Sequence, residues 1–316
     1  MTQQWIVPDA VFDGARLHRD MAVLTDGVQV LELARDLPEG AMVQRISGVI
    51  SPGFVDLQVN GGGGVLLNQT PSVAGMQAIA AAHRRFGTVA ILPTVITDRP
   101  EVLAQAVAAA IAAKDVQGIA GLHIEGPHIS VARRGTHAAA FIRPMDAVTM
   151  AHVARLRSAG IVVMITVAPE AVTPAQIGEL SALGAVVSLG HSDSSFETTN
   201  QCLAAGASCF THLFNAMSQM ENRAPGVVGA AINSQAHAGF ICDGHHVADE
   251  MLKLAFRARP VADRMFLVSD AMPTVGGPES FEIYGQTISL HDGQLLNQEG
   301  SLAGAHITQL EGVARL

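Results

Sequence analysis

The chain has 316 residues, of which 49% are apolar and only 15% are charged, so a sizeable buried core is expected rather than a disordered chain. Its formal net charge is −9, which supplies no basic surface for a phosphate backbone and argues against nucleic-acid binding. The length suits one large α/β domain with a small accessory domain.

Neither a membrane span nor a signal peptide is expected. The apolar run "IVVMITVA" at residues 161–168 is far shorter than a transmembrane helix, and "MTQQWIVPDA" lacks the basic start and apolar core of a signal peptide. The three cysteines (Cys202, Cys209 and Cys242) show no CxxC pattern, so they indicate neither a disulfide framework nor a cysteine zinc site. We therefore expect a reduced, cytoplasmic protein without a membrane partner.

The first predicted element in chain order is a small β domain over residues 1–50, where apolar and polar residues alternate between Asp-Gly turn signals. From residue 51 the pattern changes to apolar strands that alternate with Ala-rich helical segments. The predicted strands cover residues 53–59, 88–94, 119–125, 161–168, 185–191, 207–212, 238–243 and 265–270. Eight such units favour a (β/α)8 TIM-type barrel over 51–316, with a doubly wound sheet as the alternative.

The C-terminal part departs from this alternation. The segment "FEIYGQTISLHDGQLLNQEG" returns to β character and predicts a β insertion near residues 280–300. A last helix begins in "HITQLEGVARL", where the sequence stops. Because a barrel needs its closing helix, we expect a truncated C-terminus.

Several predicted strands end in an ionisable residue. Glu125 ends one in "GLHIEGPH", His191 follows "VVSLG", His212 lies in "CFTHLFN" and Asp270 in "FLVSDAM". Since the carboxyl ends of parallel barrel strands share one rim, these groups are expected together. One Glu and two His suit a catalytic metal such as zinc, and a nearby Asp suits a general base. Taken singly, each could instead be a hydrogen-bonded core histidine, a turn carboxylate or a helix cap.

The same segments, in this order, resemble the N-acetylglucosamine-6-phosphate deacetylase family of the amidohydrolase superfamily. The resemblance covers the chain from about residue 50 onward, and the ordered set is far more specific than any one motif. It is carried by "PGFVDLQVNGGGG", "GLHIEGPHI", "RRGTHAAAF", "SLGHSD", "THLFNAMSQM" with "NRAPG", "CDGHHV" and "LVSDAM".

This resemblance implies one divalent metal per subunit, with Zn²⁺ expected, held by Glu125, His191 and His212. It implies that Asp270 acts as general base and then returns a proton to the departing amine. Amidohydrolases with two metals usually carry His-x-His at the end of the first strand, where this chain has Gln58 and Asn60. Neutral amides are poor zinc ligands, so these two residues mark a vestigial second-metal position and are expected to hydrogen-bond within the barrel mouth.

The implied substrate is a small amino-sugar phosphate, N-acetylglucosamine 6-phosphate, which would yield glucosamine 6-phosphate and acetate. Arg223 is the expected phosphate ligand, because it is the only Lys or Arg between Gly206 and Glu250 and a guanidinium matches phosphate bidentately. The resemblance further implies a homodimer in which the partner chain completes the phosphate site. It also implies that the small accessory β domain is built from the N-terminal segment together with C-terminal strands beyond "GVARL". The implied substrate-binding residues are Thr136, His137, Asn215, Ala216, Arg223, His246, Leu302, Ala303 and Gly304.

Three other functions compete with this interpretation. An N-acetylgalactosamine-6-phosphate deacetylase differs only at C4 of the sugar, and nothing in the sequence separates the two substrates. A deaminase with one metal is the second alternative, but a nucleobase has no phosphate for Arg223 to bind. A non-catalytic sugar-phosphate sensor is the third, and it would have no use for Asp270 beside a metal.

Overall fold

A computed structural model describes residues 3–297 and 300–316. The predicted β domain (1–50) and β insertion (280–300) reach onto residues 1–2 and 298–299, which lie outside the described residues. The chain divides into two compact units, Met1–Gly53 and Phe54–Leu316.

The first unit consists of short β strands. They are β1 (Gln4–Val7), β2 (Ala10–Phe12), β3 (Leu17–His18), β4 (Ala22–Thr25), β5 (Val30–Ala34), β6 (Val43–Arg45) and β7 (Val49–Ile50). One sheet has the order β5-β4-β1-β6, and a smaller sheet has the order β3-β2-β7. Trp5, Ala22 and Val23 are among the buried apolar side chains of this unit.

The second unit combines strands with helices. Its strands are β8 (Phe54–Val59), β9 (Gly61–Gly62), β10 (Val65–Leu66), β11 (Thr88–Ile96), β12 (Gly121–Glu125), β13 (Val162–Val167), β14 (Val186–Leu189), β15 (Cys209–Phe210), β16 (His237–Phe240), β17 (Met265–Leu267), β18 (Ser280–Ile283), β19 (Gln286–His291), β20 (Gln294–Leu296) and β21 (Leu302–Ala305). Its helices are α1 (Val73–Arg84), α2 (Pro100–Ala112), α3 (Ala147–Ser158), α4 (Pro174–Ala182), α5 (Phe196–Ala204), α6 (Gly226–Asn233), α7 (Asp249–Ala258) and α8 (Gln309–Arg315).

Eight of these strands form one sheet in the order β17-β16-β15-β14-β13-β12-β11-β8. Neighbours run parallel and follow the chain order, with a helix in most of the connections between them. The strands are rich in Val, Ile and Leu because they are covered on both faces, as in β13, where "VVMITV" is buried from its second residue. The predicted (β/α)8 fold is confirmed.

The helices begin at recognisable caps. Asp146 accepts a hydrogen bond from the Thr149 N–H at the start of α3, and Thr173 forms a reciprocal capping box with Gln176 at the start of α4. Pro100 occupies the first turn of α2, where its missing N–H costs nothing. These local signals fix where each helix returns the chain to the barrel.

A four-stranded antiparallel sheet, β18-β19-β20-β21, follows the eighth barrel strand. Its apolar side packs in one buried cluster with the barrel mouth, made of Leu66, Ile96, Met272, Ile283, Ile288, Leu295 and Ala303. The last strand, β21, therefore runs directly past the rim at which the predicted catalytic residues lie.

Four barrel strands end two or three residues earlier than the sequence predicts. β14 ends at Leu189, β15 at Phe210, β16 at Phe240 and β17 at Leu267, whereas the apolar pattern extends the predicted strands to residues 191, 212, 243 and 270. Beyond β14, β15 and β17 the backbone turns into the left-handed region at His191, His212 and Asp270, so regular ladder hydrogen bonding stops there.

The first barrel strand is joined by direct contacts to the segment that follows the last barrel strand. The backbone N–H of Asp270 donates to the carbonyl oxygen of Gln58 at 3.0 Å. The buried carboxylate of Asp56 accepts the N–H of Ser269 at 3.2 and 3.3 Å and that of Gln58 at 3.2 Å. Burial raises the pKa of Asp56. Its carboxylate thus closes the ring where β8 meets the segment after β17.

All three cysteines are free and buried. No helix in the described part of the chain is long and apolar enough to cross a bilayer.

Replacing Asp56 tests this barrel junction. Asp56→Ala leaves two buried N–H groups without their acceptor, so we expect the free energy of unfolding to fall by about 2–4 kcal/mol in urea titrations. Asp56→Asn keeps an acceptor oxygen of the same shape and should lose less than half as much. Equal losses in the two variants, or no loss in either, would contradict this role.

Candidate active site

Three of the residues predicted to bind the metal or act as the base share an unusual backbone conformation. His191, His212 and Asp270 have φ angles of 48°, 31° and 50°. Residues with side chains rarely adopt such angles, and each instance costs on the order of 1–3 kcal/mol unless its surroundings hold it. Strain of this kind collects at functional sites, and here it occurs at the ends of three different barrel strands.

Glu125 and the two histidines converge on one point at the rim. The Oε1 atom of Glu125 lies 3.2 Å from Nε2 of His191 and 3.1 Å from Nε2 of His212. The two Nε2 atoms are 3.0 Å apart, and all three side chains are buried. Burial alone would raise the pKa of Glu125, but the imidazoles of His191 and His212 beside it hold the pKa well below the usual range. The group is the predicted metal set, brought together by β12, β14 and β15.

This triad fits a divalent cation. Nδ1 of His191 lies 2.9 Å from the carbonyl oxygen of Arg133, which accepts its N–H, so a neutral ring presents a lone pair at Nε2. That lone pair faces the Nε2 atom of His212 and the carboxylate of Glu125. Nitrogen and oxygen atoms whose lone pairs face each other at about 3 Å repel one another unless a positive charge lies between them. Two imidazole nitrogens and one carboxylate form a set that catalytic zinc uses, and the ligand atoms all lie within 4.8 Å of one another.

Asp270 lies beside the triad and is held by two side-chain amides. Its Oδ1 atom accepts hydrogen bonds from Asn60 Nδ2 at 2.7 Å and from Gln58 Nε2 at 3.1 Å. Gln58 Nε2 also donates to Glu125 Oε1 at 3.0 Å. Burial raises the pKa of Asp270 to about 6, and the negative charge of Glu125 adds to the rise. A cation at the triad would lower this pKa again.

A cavity of about 170 Å³ opens in front of these groups. Most of the predicted site residues line this cavity. They are Asn60, Glu125, Thr136, His137, His191, His212, Asn215, Ala216, His246, Asp270, Leu302 and Gly304. Four further residues line it that the sequence did not single out. These are Ile96, Gly135, Ile241 and Met272. The side chains of Ile96, Ile241 and Met272 make part of the cavity wall apolar.

Two histidines in the cavity are held by neighbouring side chains. Nδ1 of His137 lies 2.7 Å from Oγ1 of Thr97, and burial lowers the pKa of His137 to about 3. Nδ1 of His246 lies 2.6 Å from Oδ2 of Asp243. Burial works to raise the pKa of Asp243, yet the hydrogen bond from His246 outweighs it and brings the value to about 2. Asp243 is therefore ionised and orients the imidazole.

Three predicted residues lie elsewhere. Gln58 is behind the cavity wall, where it contacts Glu125 and Asp270. Ala303 packs in the buried cluster beneath β21, because side chains alternate along a strand and its neighbours Leu302 and Gly304 face the cavity. Arg223 is exposed and lines a second cavity of about 370 Å³ on the same unit.

The sequence interpretation missed a buried polar chain below the site. Nε2 of His123 lies 2.7 Å from Oγ1 of Thr166, which is 2.7 Å from Oγ1 of Thr211, which is 2.6 Å from Oγ of Ser188. Burial lowers the pKa of His123 to about 4, so its ring is neutral. Its position two residues before Glu125 was the available signal, since both side chains then point into the barrel.

No protein-family profile matches the chain, but related sequences do. It is 44% identical over 271 residues to an N-acetylgalactosamine-6-phosphate deacetylase from Shewanella sp. (strain ANA-3), and the matched region covers 84% of this chain and 68% of that protein. It is 31% identical over 304 residues to an N-acetylglucosamine-6-phosphate deacetylase from Haemophilus influenzae, which covers 93% and 79% respectively.

Solved structures are similar along nearly the whole chain. A crystal structure of N-acetylglucosamine-6-phosphate deacetylase from Pasteurella multocida has a TM-score of 0.93 at 32% identity, covering 99% of this chain and 84% of that one. A mutant deacetylase from Mycobacterium smegmatis in complex with N-acetyl-D-glucosamine-6-phosphate has a TM-score of 0.87 at 28% identity, covering 98% and 81%.

Metal content tests the triad. We expect about one equivalent of divalent metal per chain in the wild type, because one set of ligands converges at the rim, and less than a tenth of that in His191→Ala or His212→Ala. Elemental analysis after dialysis measures this content. His237→Ala, an exposed histidine at the start of β16, serves as the control and should keep the wild-type content. A full equivalent of metal in both triad variants would show that the ion is bound elsewhere.

Proposed function

The chain belongs to the N-acetylglucosamine-6-phosphate deacetylase family, and on that premise we propose that it hydrolyses the acetamide of N-acetylglucosamine 6-phosphate to glucosamine 6-phosphate and acetate. The observation that carries this proposal is the convergence of one carboxylate and two imidazoles with a separate, buried aspartate in a single cavity. A metal set with an adjoining base is what amide hydrolysis requires.

The chain's own residues supply binding and proton transfer. A divalent cation on Glu125, His191 and His212, which we propose to be Zn²⁺, would supply Lewis acidity that polarises the acetamide carbonyl and acidifies water. Asp270 accepts a proton from the attacking water and delivers it to the nitrogen as the C–N bond breaks. The water oxygen ends on the acyl carbon as acetate, and the nitrogen leaves as the amine of the sugar.

The remaining cavity residues are proposed to bind the sugar phosphate. His137 and His246, each fixed by a hydrogen bond at Nδ1, can present Nε2 to the substrate. The other residues in this proposed role are Thr136, Asn215, Ala216, Leu302, Ala303 and Gly304. Ala303 would act through its backbone, because its side chain is packed away from the cavity.

We further propose that the chain forms a homodimer in which Arg223 of the second copy completes the phosphate-binding site. What supports this is that Arg223 is exposed on a cavity other than the one that contains Asp270. The Arg223 guanidinium of a partner subunit would donate two parallel hydrogen bonds to the phosphate. Arg223 would then not have to reach the cavity of its own subunit.

N-acetylgalactosamine 6-phosphate is the second candidate substrate. The observation in its favour is that the 44% identical relative from Shewanella bears the name N-acetylgalactosamine-6-phosphate deacetylase. The two sugars differ in the orientation of one hydroxyl group, so both would offer the same acetamide to the triad and Asp270.

Acetate release from both sugar phosphates tests the proposed reaction. We expect the wild type to release acetate faster from the gluco isomer, and Asp270→Asn to lower kcat by about 10³-fold or more with its metal retained, because the amide cannot accept the proton. Faster release from the galacto isomer would favour the second substrate. Binding of sugar phosphate without acetate release by the metal-loaded wild type would contradict an enzyme and favour a sensor.

Arg223→Ala tests the phosphate contact. Loss of a charge-assisted bidentate contact should raise KM for the phosphorylated sugar by about 30–150-fold and leave the unphosphorylated sugar little affected. Arg257→Ala, an exposed arginine on α7, is the control and should change neither.

The partner's contribution is tested by mixing Arg223→Ala with Asp270→Asn subunits. A hybrid dimer contains one site with an intact Asp270 and an intact arginine from the other chain, so activity should reappear if the arginine acts across the interface. No recovery in verified hybrids would place the arginine within its own subunit's site or outside both sites.

A further inference from the structure

The residues at the vestigial second-metal position make specific contacts. Gln58 and Asn60 leave the end of β8 on one face, and each is only 1% exposed. We propose that these two residues, here called the amide clamp, are positioning residues that fix the carboxylate of Asp270 so that one chosen oxygen faces the substrate. The proposal rests on the proposed function, because it assigns the clamp a part in that reaction.

The clamp distinguishes the two oxygens of Asp270. Oδ1 accepts one N–H from Asn60 at 2.7 Å and one from Gln58 at 3.1 Å. In the described part of the chain no hydrogen bond reaches Oδ2, and Asp270 lines the cavity. A carboxylate oxygen that already accepts two donors is a poor proton acceptor. Oδ2 is therefore the oxygen left to take the proton from water.

Gln58 also sets the distance between the base and the metal set. A primary amide has two N–H groups, and the Nε2 atom of Gln58 directs one to Asp270 Oδ1 and the other to Glu125 Oε1, at 3.1 and 3.0 Å. Both of its donors are therefore used. The two carboxylates repel each other when ionised, and the shared amide holds them at a fixed separation.

The contacts allow only one orientation of each amide. Among the described residues, Oε1 of Gln58 and Oδ1 of Asn60 are buried without a hydrogen-bond partner. Turning either amide over would bring that oxygen against the Asp270 carboxylate, which accepts hydrogen bonds and cannot donate when ionised. Leaving two acceptors unpaired costs free energy, so the retained orientation shows that the N–H contacts to the carboxylates dominate.

The proposal predicts a selective loss of turnover. Asn60→Leu keeps the shape but removes the donor, so kcat should fall about 30-fold while KM changes less than about 3-fold and one metal equivalent remains. Gln58→Met, which removes both donors at the same length, should behave likewise. Asn60→Asp puts a carboxylate against Asp270 and should lower kcat further than Asn60→Leu. Asn200→Leu removes an amide that donates to the carbonyl of Phe196 within α5, and it should leave kcat unchanged.

Crystal structures of the wild type and Asn60→Leu give a readout that does not depend on turnover. We expect the Asp270 carboxylate to be rotated, or to occupy two orientations, only in the variant. Unchanged kcat with an unmoved carboxylate would overturn the proposal. So would a loss of metal that accounts for the lost activity, since the amides would then serve the metal set. If the wild type releases acetate from neither sugar phosphate, the proposed function fails, and the carboxylate orientation alone decides on the clamp.

Discussion

The structure depends on the junction at which the first barrel strand meets the segment after the last. There the Asp270 N–H reaches the carbonyl of Gln58, and the buried carboxylate of Asp56 collects N–H groups from both sides. This junction closes the barrel, and it also brings the amide side chains of β8 against the carboxylate of Asp270. The backbone hydrogen bonds that complete the fold therefore bring together the residues whose side-chain hydrogen bonds orient the proposed base.

The rim collects negative charge and lone pairs that would repel one another without a counter-charge. Glu125 and Asp270 are both buried, and two imidazole nitrogens point at Glu125. Two devices offset the repulsion. A divalent cation at the triad would supply positive charge, and the amides supply neutral hydrogen-bond donors to the Asp270 carboxylate. In the proposed reaction this arrangement leaves Glu125 as a metal ligand and Asp270 free to carry a proton.

Sequence reasoning located the rim because of topology. In a parallel barrel every strand delivers its last residue to one edge, so Glu125, His191, His212 and Asp270 could be grouped from their positions after apolar runs. The exact strand ends could not be predicted, since the left-handed backbone at His191, His212 and Asp270 has no counterpart in the apolar pattern. A strand predicted from an apolar pattern continues until polar residues appear, even where the backbone has already left the extended conformation.

Other features were out of reach for similar reasons. The partners of Gln58 and Asn60 follow from barrel closure, which joins residues more than 200 positions apart. His123 was open to inference from alternation along β12, but its hydroxyl partners, Thr94 and Thr166, come from the two neighbouring strands β11 and β13. The location of Arg223 depends on the path of the loop between β15 and α6, which no periodicity describes.

The separations along the chain also rank the order in which the catalytic groups can assemble. Glu125 pairs with His191 across 66 residues and with His212 across 87, whereas Gln58 and Asp270 are 212 apart. Loop-closure entropy makes the longest of these encounters about 1 kcal/mol more costly than the shortest. During folding, the chain can therefore bring Glu125 and the two histidines together before Asp270 reaches Gln58. Any reaction that needs Asp270 in place would then begin only after the barrel has closed.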